Sequence, residues 1–372
     1  VIGDIRSQTA ANHVCAAQVQ RMLEEYRLDS LDDLADEIIA RSEKSVRSAI
    51  EQVPDGVYRA EGVIEQMEGQ KDINIKAAVE IKGSDISVDL AGSSPQVSWG
   101  GNVVYNFTFA YVHMAIKSIF DPDIPNNHGS VAVIKLDAPE GSVVNCRFPA
   151  AVAARMQIGH FMAEIIYRAL AQALPHRVIA SSGGTPATMN VFYGTFNNGK
   201  PWHSVIIRGG GMGASSGRDG ENSYIFPANG ANTPIEILEG DTPLIVERRE
   251  LLIDSGGAGK FRGGLGTRTV FRIPDDEHAP QTPVSLGIQS GRFRLPPEGL
   301  AGGQAGSRAK FLVNGEQGNP YGLTKLHPGD IIVMESSGGG GYGLPNERDP
   351  DVLTEDIRAG WVSEEKAKSE YG

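Results

Sequence analysis

The hydrophobic positions in the first half of the chain repeat with a helical period in four places. Apolar side chains recur three or four residues apart over residues 15–26 and again over 31–39, where Ser30 is a candidate N-cap. Two further stretches share this period, one over 104–119 and one over about 151–174, which Pro175 ends. The pattern predicts a helical pair near the start and two more helices further on.

Between these helices the period changes to two. Apolar side chains occupy the odd positions over residues 73–81, and Asn74, Lys76 and Glu80 fall between them. A Gly-Ser-Asp turn at 83–85 leads into a second alternating run at 86–90. This alternation predicts an antiparallel hairpin with one face toward water.

Beyond residue 177, short β-type runs alternate with glycine-rich turns. The best strand candidates are residues 205–208, 244–253, 267–273, 282–289 and 331–335. Such spacing favours a sandwich or barrel-like region. A polar tail from about residue 349 predicts small helices around Ile357 and Ser363.

The expected fold class is therefore α+β, with N-terminal helices and an antiparallel hairpin packed on a glycine-rich β-sandwich or barrel-like region. We expect a mixed helix and hairpin region over 1–175, a glycine-rich β region over 176–345, and a short helical tail over 346–372. No fixed-period repeat or low-complexity linker separates them.

Composition narrows the classes of function. The 372 residues are 40% hydrophobic and carry a formal net charge of −12, with the acidic excess spread along the chain, which disfavours nucleic acid as a partner. No apolar run approaches the roughly 20 residues of a bilayer span, and no signal peptide is visible. Cys15 and Cys146 cannot form a disulfide framework, so we expect a cytoplasmic protein without membrane contact.

A series of motifs runs through the whole chain in a fixed order. It starts with Gly-Asp-Ile-Arg-Ser-Gln at 3–8 and Ala-Ala-Asn at 10–12. The following motifs lie at 121–125, 138–142, 148–152, 209–214, 217–220, 232–236, 246–248, 254–259, 262–264, 299–303 and 338–343. Each motif is weak alone, but together they resemble the hydantoinase B family. That family includes the B subunits of N-methylhydantoinase and 5-oxoprolinase and related subunits of acetone and acetophenone carboxylases.

The resemblance implies a partner and cofactors. A B-type member of this family works beside an actin-like, hydantoinase A type ATPase subunit, which binds ATP and Mg and is expected to phosphorylate the substrate's carbonyl or enol oxygen. The family also has an N-terminal segment of histidine and aspartate motifs, thought to hold a divalent metal. This sequence lacks that segment, so we expect a fragment or a split subunit, with a separate N-terminal polypeptide as a further partner.

The resemblance also implies the function. The leading hypothesis is ATP-dependent hydrolysis of a cyclic amide, such as 5-oxoproline or a hydantoin, with this chain as the substrate-processing subunit. The runner-up is a subunit of an ATP-dependent ketone carboxylase. A third hypothesis, from another class, is a non-catalytic scaffold.

The first candidate site element is a glycine run that follows a strand. The backbone N–H groups of Gly209, Gly210, Gly211, Met212 and Gly213 could bind a substrate anion as a nest. Alternatively, the glycines serve close packing of the chain. Arg218 and Asp219 follow this run and are candidate catalytic residues. The glycine run at 209–213, like the runs at 254–264 and 338–341, lacks the Gly-Lys-Ser/Thr ending of a phosphate-binding loop. We therefore expect ATP to bind the partner.

Other candidates lie in the first half. His160 interrupts an apolar helix, where it is either catalytic or a buried histidine with ordinary partners. Arg147 and Arg155 flank the Phe-Pro-Ala-Ala-Val motif at 148–152 and either bind an anionic substrate group or form ion pairs. The eight histidines show no metal-binding spacing, so we expect no complete metal site from this chain.

Overall fold

The computed structural model describes residues 2–66, 71–186 and 188–372. Its helices are α1 (Ile2–Tyr26), α2 (Asp32–Ile50), α3 (Tyr105–Phe120), α4 (His128–Ala132), α5 (Met156–Leu170), α6 (Ile235–Asp241), α7 (Pro350–Arg358) and α8 (Glu364–Lys366), with 3-10 turns at Pro175–Arg177 and Pro345–Glu347 and a π turn at Ala367–Tyr371.

The strands fall in both halves of the chain. They are β1 (Gly56–Ile64), β2 (Ile73–Lys82), β3 (Asp85–Asp89), β4 (Ile134–Asp137), β5 (Met189–Thr195), β6 (Pro201–Ile207), β7 (Ile245–Leu251), β8 (Thr267–Arg272), β9 (Val284–Gln289), β10 (Lys310–Val313), β11 (Glu316–Gln317), β12 (Leu323–Leu326) and β13 (Ile331–Glu335). The predicted α+β class is confirmed.

The first sheet has the order β1-β2-β3-β4 and carries the predicted hairpin. β2 and β3 pair antiparallel, and Gly83 adopts a φ of +58° in the turn between them. The odd positions of β2 face the core, as the alternation predicts. β3 and β4 pair in parallel, which the hairpin pattern does not indicate.

Helix α5 lies against β1, β2 and α3 and is buried on nearly every side. A helix covered on nearly all its faces needs mostly apolar side chains, and the polar Gln157, His160 and Glu164 of α5 are themselves buried. It begins at Met156, so the prediction of a helix from about residue 151 was wrong at the start. Residues 151–155 form a loop there, because the backbone of Ala154 bonds to Gly100 rather than within a helix.

The second half is a β-sandwich of two open sheets, one ordered β11-β10-β13-β8-β7 and the other β12-β9-β5-β6. Both sheets contribute to one core, in which the rings of Phe192 and Phe271 lie 5.5 Å apart. The five predicted runs correspond to β6, β7, β8, β9 and β13 and are confirmed. The short strands β10, β11 and β12 and the longer β5 were missed.

Glycine-rich segments outside the strands cross one another beside this sandwich. The N–H groups of Gly211, Gly264 and Gly339 bond to the carbonyls of Ser337 (2.9 Å), Met212 (2.8 Å) and Gly264 (2.9 Å), respectively. Each segment therefore forms hydrogen bonds with several others instead of pairing with one neighbouring strand, as in a regular sheet. The division into 1–175, 176–345 and 346–372 stays a prediction.

Candidate functional site

A cleft of about 400 Å³ lies between the first sheet's layer and the sandwich. The first layer contributes Glu65, Trp99 and Gln157, and the sandwich side contributes Gln289, Ser290 and Tyr321. Gln157 belongs to the first turn of α5, and Gln289 ends β9. Because pockets between layers are a common place for small molecules, this cleft is the first candidate for a substrate site.

Polar groups in the cleft lack partners. Gln289 Oε1, Ser290 Oγ and Tyr321 OH are buried and complete no hydrogen bond in the part of the chain that the structure describes, although the Glu65 carboxylate and the Arg294 guanidinium lie close to the Tyr321 hydroxyl. Buried polar atoms usually do have partners, so three unpaired groups in one cleft indicate a binding surface. Burial, with the nearby Glu65 carboxylate, raises the pKa of Tyr321 far above its usual range, so the hydroxyl remains a donor.

The buried Glu65 carboxylate and a more exposed ion pair hold the cleft's two walls together. The Glu65 carboxylate accepts the N–H groups of Phe293 (2.5 Å), Arg294 (2.8 Å) and Leu295 (3.1 Å). Arg294 also reaches both oxygens of Asp72, at 2.7 and 2.9 Å. These bonds fix the segment after β9 against the end of β1, so the cleft is preorganised.

A second clamp joins α5 to the same segment. Glu164 pairs with Arg292 at 2.5 Å and Arg168 at 2.7 Å, and Thr185 donates to it. Burial alone raises the pKa of Glu164, but the two guanidinium groups outweigh burial and lower the pKa below its usual value. Glu164 is therefore an anion that positions the cleft wall.

His160 lies one turn beyond Gln157 on α5 and is only 3% exposed. Neither ring nitrogen has a hydrogen-bonding partner among the described residues, and the Tyr111 ring lies 5.8 Å away. Burial lowers the pKa of His160 to about 4, so the imidazole is neutral at physiological pH. His160 supports the wall of the cleft but does not line it.

His160 should make stability depend on pH. Its pKa is lower in the folded than in the unfolded state, so its contribution is complete above pH about 6.5 and is lost as the pH falls toward 4. As the pH falls from 6.5 to 4, the free energy of unfolding of His160→Leu should decrease by about 3 kcal/mol less than that of the wild type. Urea unfolding at each pH measures this. His278→Gln, at a 71% exposed side chain, is the control, and parallel curves for all three proteins would contradict the assignment.

The two predicted substrate-binding arginines differ in position. Arg147 is exposed and pairs with Glu140 at 3.2 Å, away from the cleft. Arg155 is exposed just before α5, beside cleft-lining Gln157, and its guanidinium lies 5.6 Å from the Phe107 ring centre. No carboxylate pairs with Arg155 in the described ranges, so it is available to an anion at this end of the cleft.

The glycine run lies elsewhere, and its donors are occupied. The N–H groups of residues 209–213 all have acceptors within the chain. These are, in order, Asn232 Oδ1 (3.2 Å), the carbonyls of Tyr224 (3.2 Å), Ser337 (2.9 Å) and Glu221 (2.9 Å), and Ser182 Oγ (3.0 Å). Such an arrangement supports the packing interpretation of Gly209, Gly210, Gly211, Met212 and Gly213 over the anion nest.

Arg218 and Asp219 line a different hollow, of about 660 Å³, beside the C-terminal tail. Arg218 is exposed and pairs with Glu221. Both Asp219 oxygens accept from Arg348, at 2.9 and 2.8 Å, and the Arg262 N–H donates at 2.7 Å. Burial opposes the charge, yet Arg348 lowers the pKa of Asp219, so the carboxylate anchors the tail. The structure does not bring these residues together with His160.

Residues 2–66, 71–186 and 188–372 hold neither a cluster of metal ligands nor a helix that could span a bilayer. Within these ranges no three His, Cys, Asp or Glu side chains converge as metal ligands would. The described residues therefore do not fit the divalent metal that the family resemblance implies. Nor does any helix in the described part of the chain combine the length and apolar character needed to cross a membrane.

The cleft residues were missed by sequence reasoning because they form no motif. Gln289 is the last residue of the apolar strand β9, Ser290 directly follows it, and Tyr321 follows Pro320 in a turn. A polar pair that ends a buried strand was the only available signal. No sequence pattern marks Glu65 or Trp99 as part of a cleft.

Comparison with known proteins identifies the class. The chain matches the Hydantoinase B/oxoprolinase family over residues 1–345 and belongs to that family, which confirms the resemblance. It is 33% identical to the putative D-/L-hydantoinase B subunit of Pseudomonas sp. (strain NS671), an alignment that covers all of this chain and 64% of that protein. Identity to the caprolactamase beta subunit of Pseudomonas jessenii is 30%, over 100% of this chain and 65% of the relative. The chain thus spans about two thirds of the length of these relatives.

Solved structures agree with this assignment. The ATP-dependent caprolactamase from Pseudomonas jessenii superposes with a TM-score of 0.84 at 27% identity, over all of this chain and 66% of that one. A nucleotide-free acetone carboxylase structure superposes with a TM-score of 0.80, over 96% of this chain and 55% of that one. Identity in the second case is 17%, so that likeness concerns the fold alone.

Proposed function

We propose that this chain forms the substrate-processing part of a B-type subunit in an ATP-dependent cyclic amide hydrolase, and that the interlayer cleft binds the ring. The observation that carries the proposal is the set of unpaired buried groups at Gln289, Ser290 and Tyr321. Family membership and the likeness to an ATP-dependent caprolactamase support the reaction class. A hydantoinase A type, actin-like partner would bind ATP with Mg.

The chemistry requires activation by a partner because an amide carbon is a poor electrophile. In the proposed reaction, the partner transfers the ATP γ-phosphoryl group to the amide oxygen. Water then adds to the carbon and loses a proton, so the water-derived oxygen of the tetrahedral intermediate carries the negative charge. That oxygen forms the new C=O bond as the ring C–N bond breaks, and the nitrogen takes up a proton and leaves as an amine, which leaves an acyl phosphate. A second water releases phosphate, so one ring opens for each ATP. The cleft must stabilise the negative charge that develops on oxygen.

The cleft residues fit these tasks. The hydroxyls of Tyr321 and Ser290 would donate to the developing oxyanion, and the amide oxygen of Gln289 would accept the ring N–H. Trp99 offers an apolar face to the ring, and Arg155 would contact an anionic group at the mouth. We propose that His160 positions α5, and that Arg218, Asp219 and the glycine run support the fold and do not contact substrate. The cytoplasm remains the expected compartment, since both cysteines are free thiols.

Removal of the Tyr321 donor tests the proposal. Tyr321→Phe should lower kcat about 100-fold, because loss of one oxyanion donor typically costs that much, while the substrate still fits. ATP-coupled ring opening is measured in the assembled complex with 5-oxoproline, hydantoins and larger lactams. Tyr193→Phe, at a 40% exposed residue outside the cleft, is the matched control. Equal turnover by Tyr321→Phe and the wild type would reject the cleft as the site.

The same assay separates the alternatives. Turnover of ketones that requires bicarbonate would assign the chain to a carboxylase. ATP-dependent turnover that survives substitution of Tyr321, Ser290, His160 and Arg218 alike would favour a scaffold.

A further inference from the structure

One end of the sandwich interior is polar where the rest is apolar. Inward-facing positions alternate along β6 and β8, and toward the other end they hold Trp202 and Phe271. At this end the inward positions are Arg208, Thr267 and Thr269, all buried. An arginine between two sheets is costly unless an anion pairs with it, so Arg208 requires an explanation.

Arg208 makes no side-chain hydrogen bond or ion pair with any of the described residues. Its side chain is buried with the residue only 6% exposed, and neither Nε nor Nη1 meets an acceptor in the described ranges. Burial and the nearby Arg249 lower the pKa of Arg208 to about 10, so it still carries its charge at neutral pH. A charged guanidinium without an acceptor is rare in a protein interior.

A second arginine faces it from the opposite sheet. Arg249 lies on β7 and lines the same cavity of about 180 Å³. Its one hydrogen bond is to the Thr233 carbonyl, at 2.7 Å, and the nearby Glu236 carboxylate favours its charge without forming an ion pair with it in the described part of the chain. Two cations held at one small cavity repel each other, and an anion between them would remove that repulsion.

The rest of the lining supplies donors and no free negative charge. Ser223 accepts from Asn232 at 3.2 Å, which leaves its own O–H to donate, and the Thr269 hydroxyl has no partner among the described residues. The one carboxylate in the lining, Glu250, already binds Arg268 at 3.0 Å. The cavity is therefore net positive and presents hydroxyl donors beside two guanidinium groups.

We propose that this cavity, between Arg208 and Arg249, binds a small oxyanion. Guanidinium groups bind the oxygens of phosphate and carboxylate in pairs, and the added hydroxyls suit the extra oxygens of a tetrahedral anion. Inorganic phosphate should therefore bind better than a carboxylate. The site shares no residue with the interlayer cleft, and it does not depend on the function proposed above.

Thermal unfolding of the purified full-length protein tests the site with inorganic phosphate, acetate and chloride at equal ionic strength. Phosphate at a concentration far above its Kd should raise the Tm of the wild type by at least about 2 °C relative to chloride. Arg249→Gln should lose this shift. Arg248→Gln, a neighbour on β7 with a 60% exposed side chain, makes the same charge change and should keep it.

Arg208→Met gives an independent check, since it keeps the apolar stem and removes the unpaired charge. In chloride its Tm should equal or exceed that of the wild type, and the phosphate shift should vanish. A shift with acetate alone, abolished in both variants, would support the site and identify a carboxylate as its ligand. The proposal fails if no oxyanion stabilises the wild type, or if Arg249→Gln and Arg208→Met respond to phosphate as the wild type does.

Discussion

Gly211→Ala should yield little or no folded protein, with a loss of at least about 4 kcal/mol in any that folds. A Cβ at this position would overlap the backbone oxygen of Gly264 and the backbone nitrogen of Gly339. Neither neighbour can move aside, because both are backbone atoms and Gly339 N bonds to Gly264 O at 2.9 Å. Soluble yield and urea unfolding measure the effect.

The matched control is Gly240→Ala in α6. No heavy atom lies within 4 Å of a Cβ built there, so the substitution should be neutral or stabilise the helix by up to about 1 kcal/mol. Unfolding midpoints within error of each other for Gly211→Ala and the wild type would show that the glycine segments are not packed as described.

Elements with a clear period could be predicted from the sequence. The odd positions of β2 alternate with polar residues, and the turn at Gly83 fixes the pairing with β3, so local pattern and global fold agree there. The five strand runs of the second half carry the same kind of signal. By contrast, β11 has two residues and both are exposed, so no pattern marks it.

The partners of the glycine segments could not be predicted. A run of glycines after a strand is compatible with an anion nest and with close packing, and nothing in the local sequence around Gly211 distinguishes the two. The close packing is decided by the Ser337 carbonyl, far away in the sequence, which accepts the Gly211 N–H. No local pattern carries that information.

The candidate site was hidden for the same reason. Gln157, Gln289 and Tyr321 meet in the cleft only because two layers pack together. His160, in contrast, could be singled out because a histidine in an apolar helix breaks the pattern. The sequence pattern therefore marks a residue behind the cleft wall but not the polar groups that line the cleft.

Glu164→Gln should destabilise the protein by about 3–5 kcal/mol, because it removes the charge that pairs with buried Arg292. The Glu164 and Arg292 side chains are each 4% exposed and lie 2.5 Å apart across the junction of α5 and the sandwich. Arg292 would then remain charged in the interior without a counterion. Urea unfolding, with the slope of the transition checked against the wild type, gives the free energy of unfolding.

An exposed pair of the same residue types separates burial from charge. Glu37 and Arg41 on α2 lie 2.6 Å apart with side chains 58% and 77% exposed, so Glu37→Gln should cost no more than about 0.5 kcal/mol. Replacement of both buried partners, as Glu164→Leu with Arg292→Met, should recover much of the loss, since apolar pairs often substitute for buried ion pairs. If Glu164→Gln lowers the free energy of unfolding as little as Glu37→Gln does, water reaches the junction. The wall of the neighbouring cleft would then not be preorganised, as the proposed oxyanion stabilisation requires.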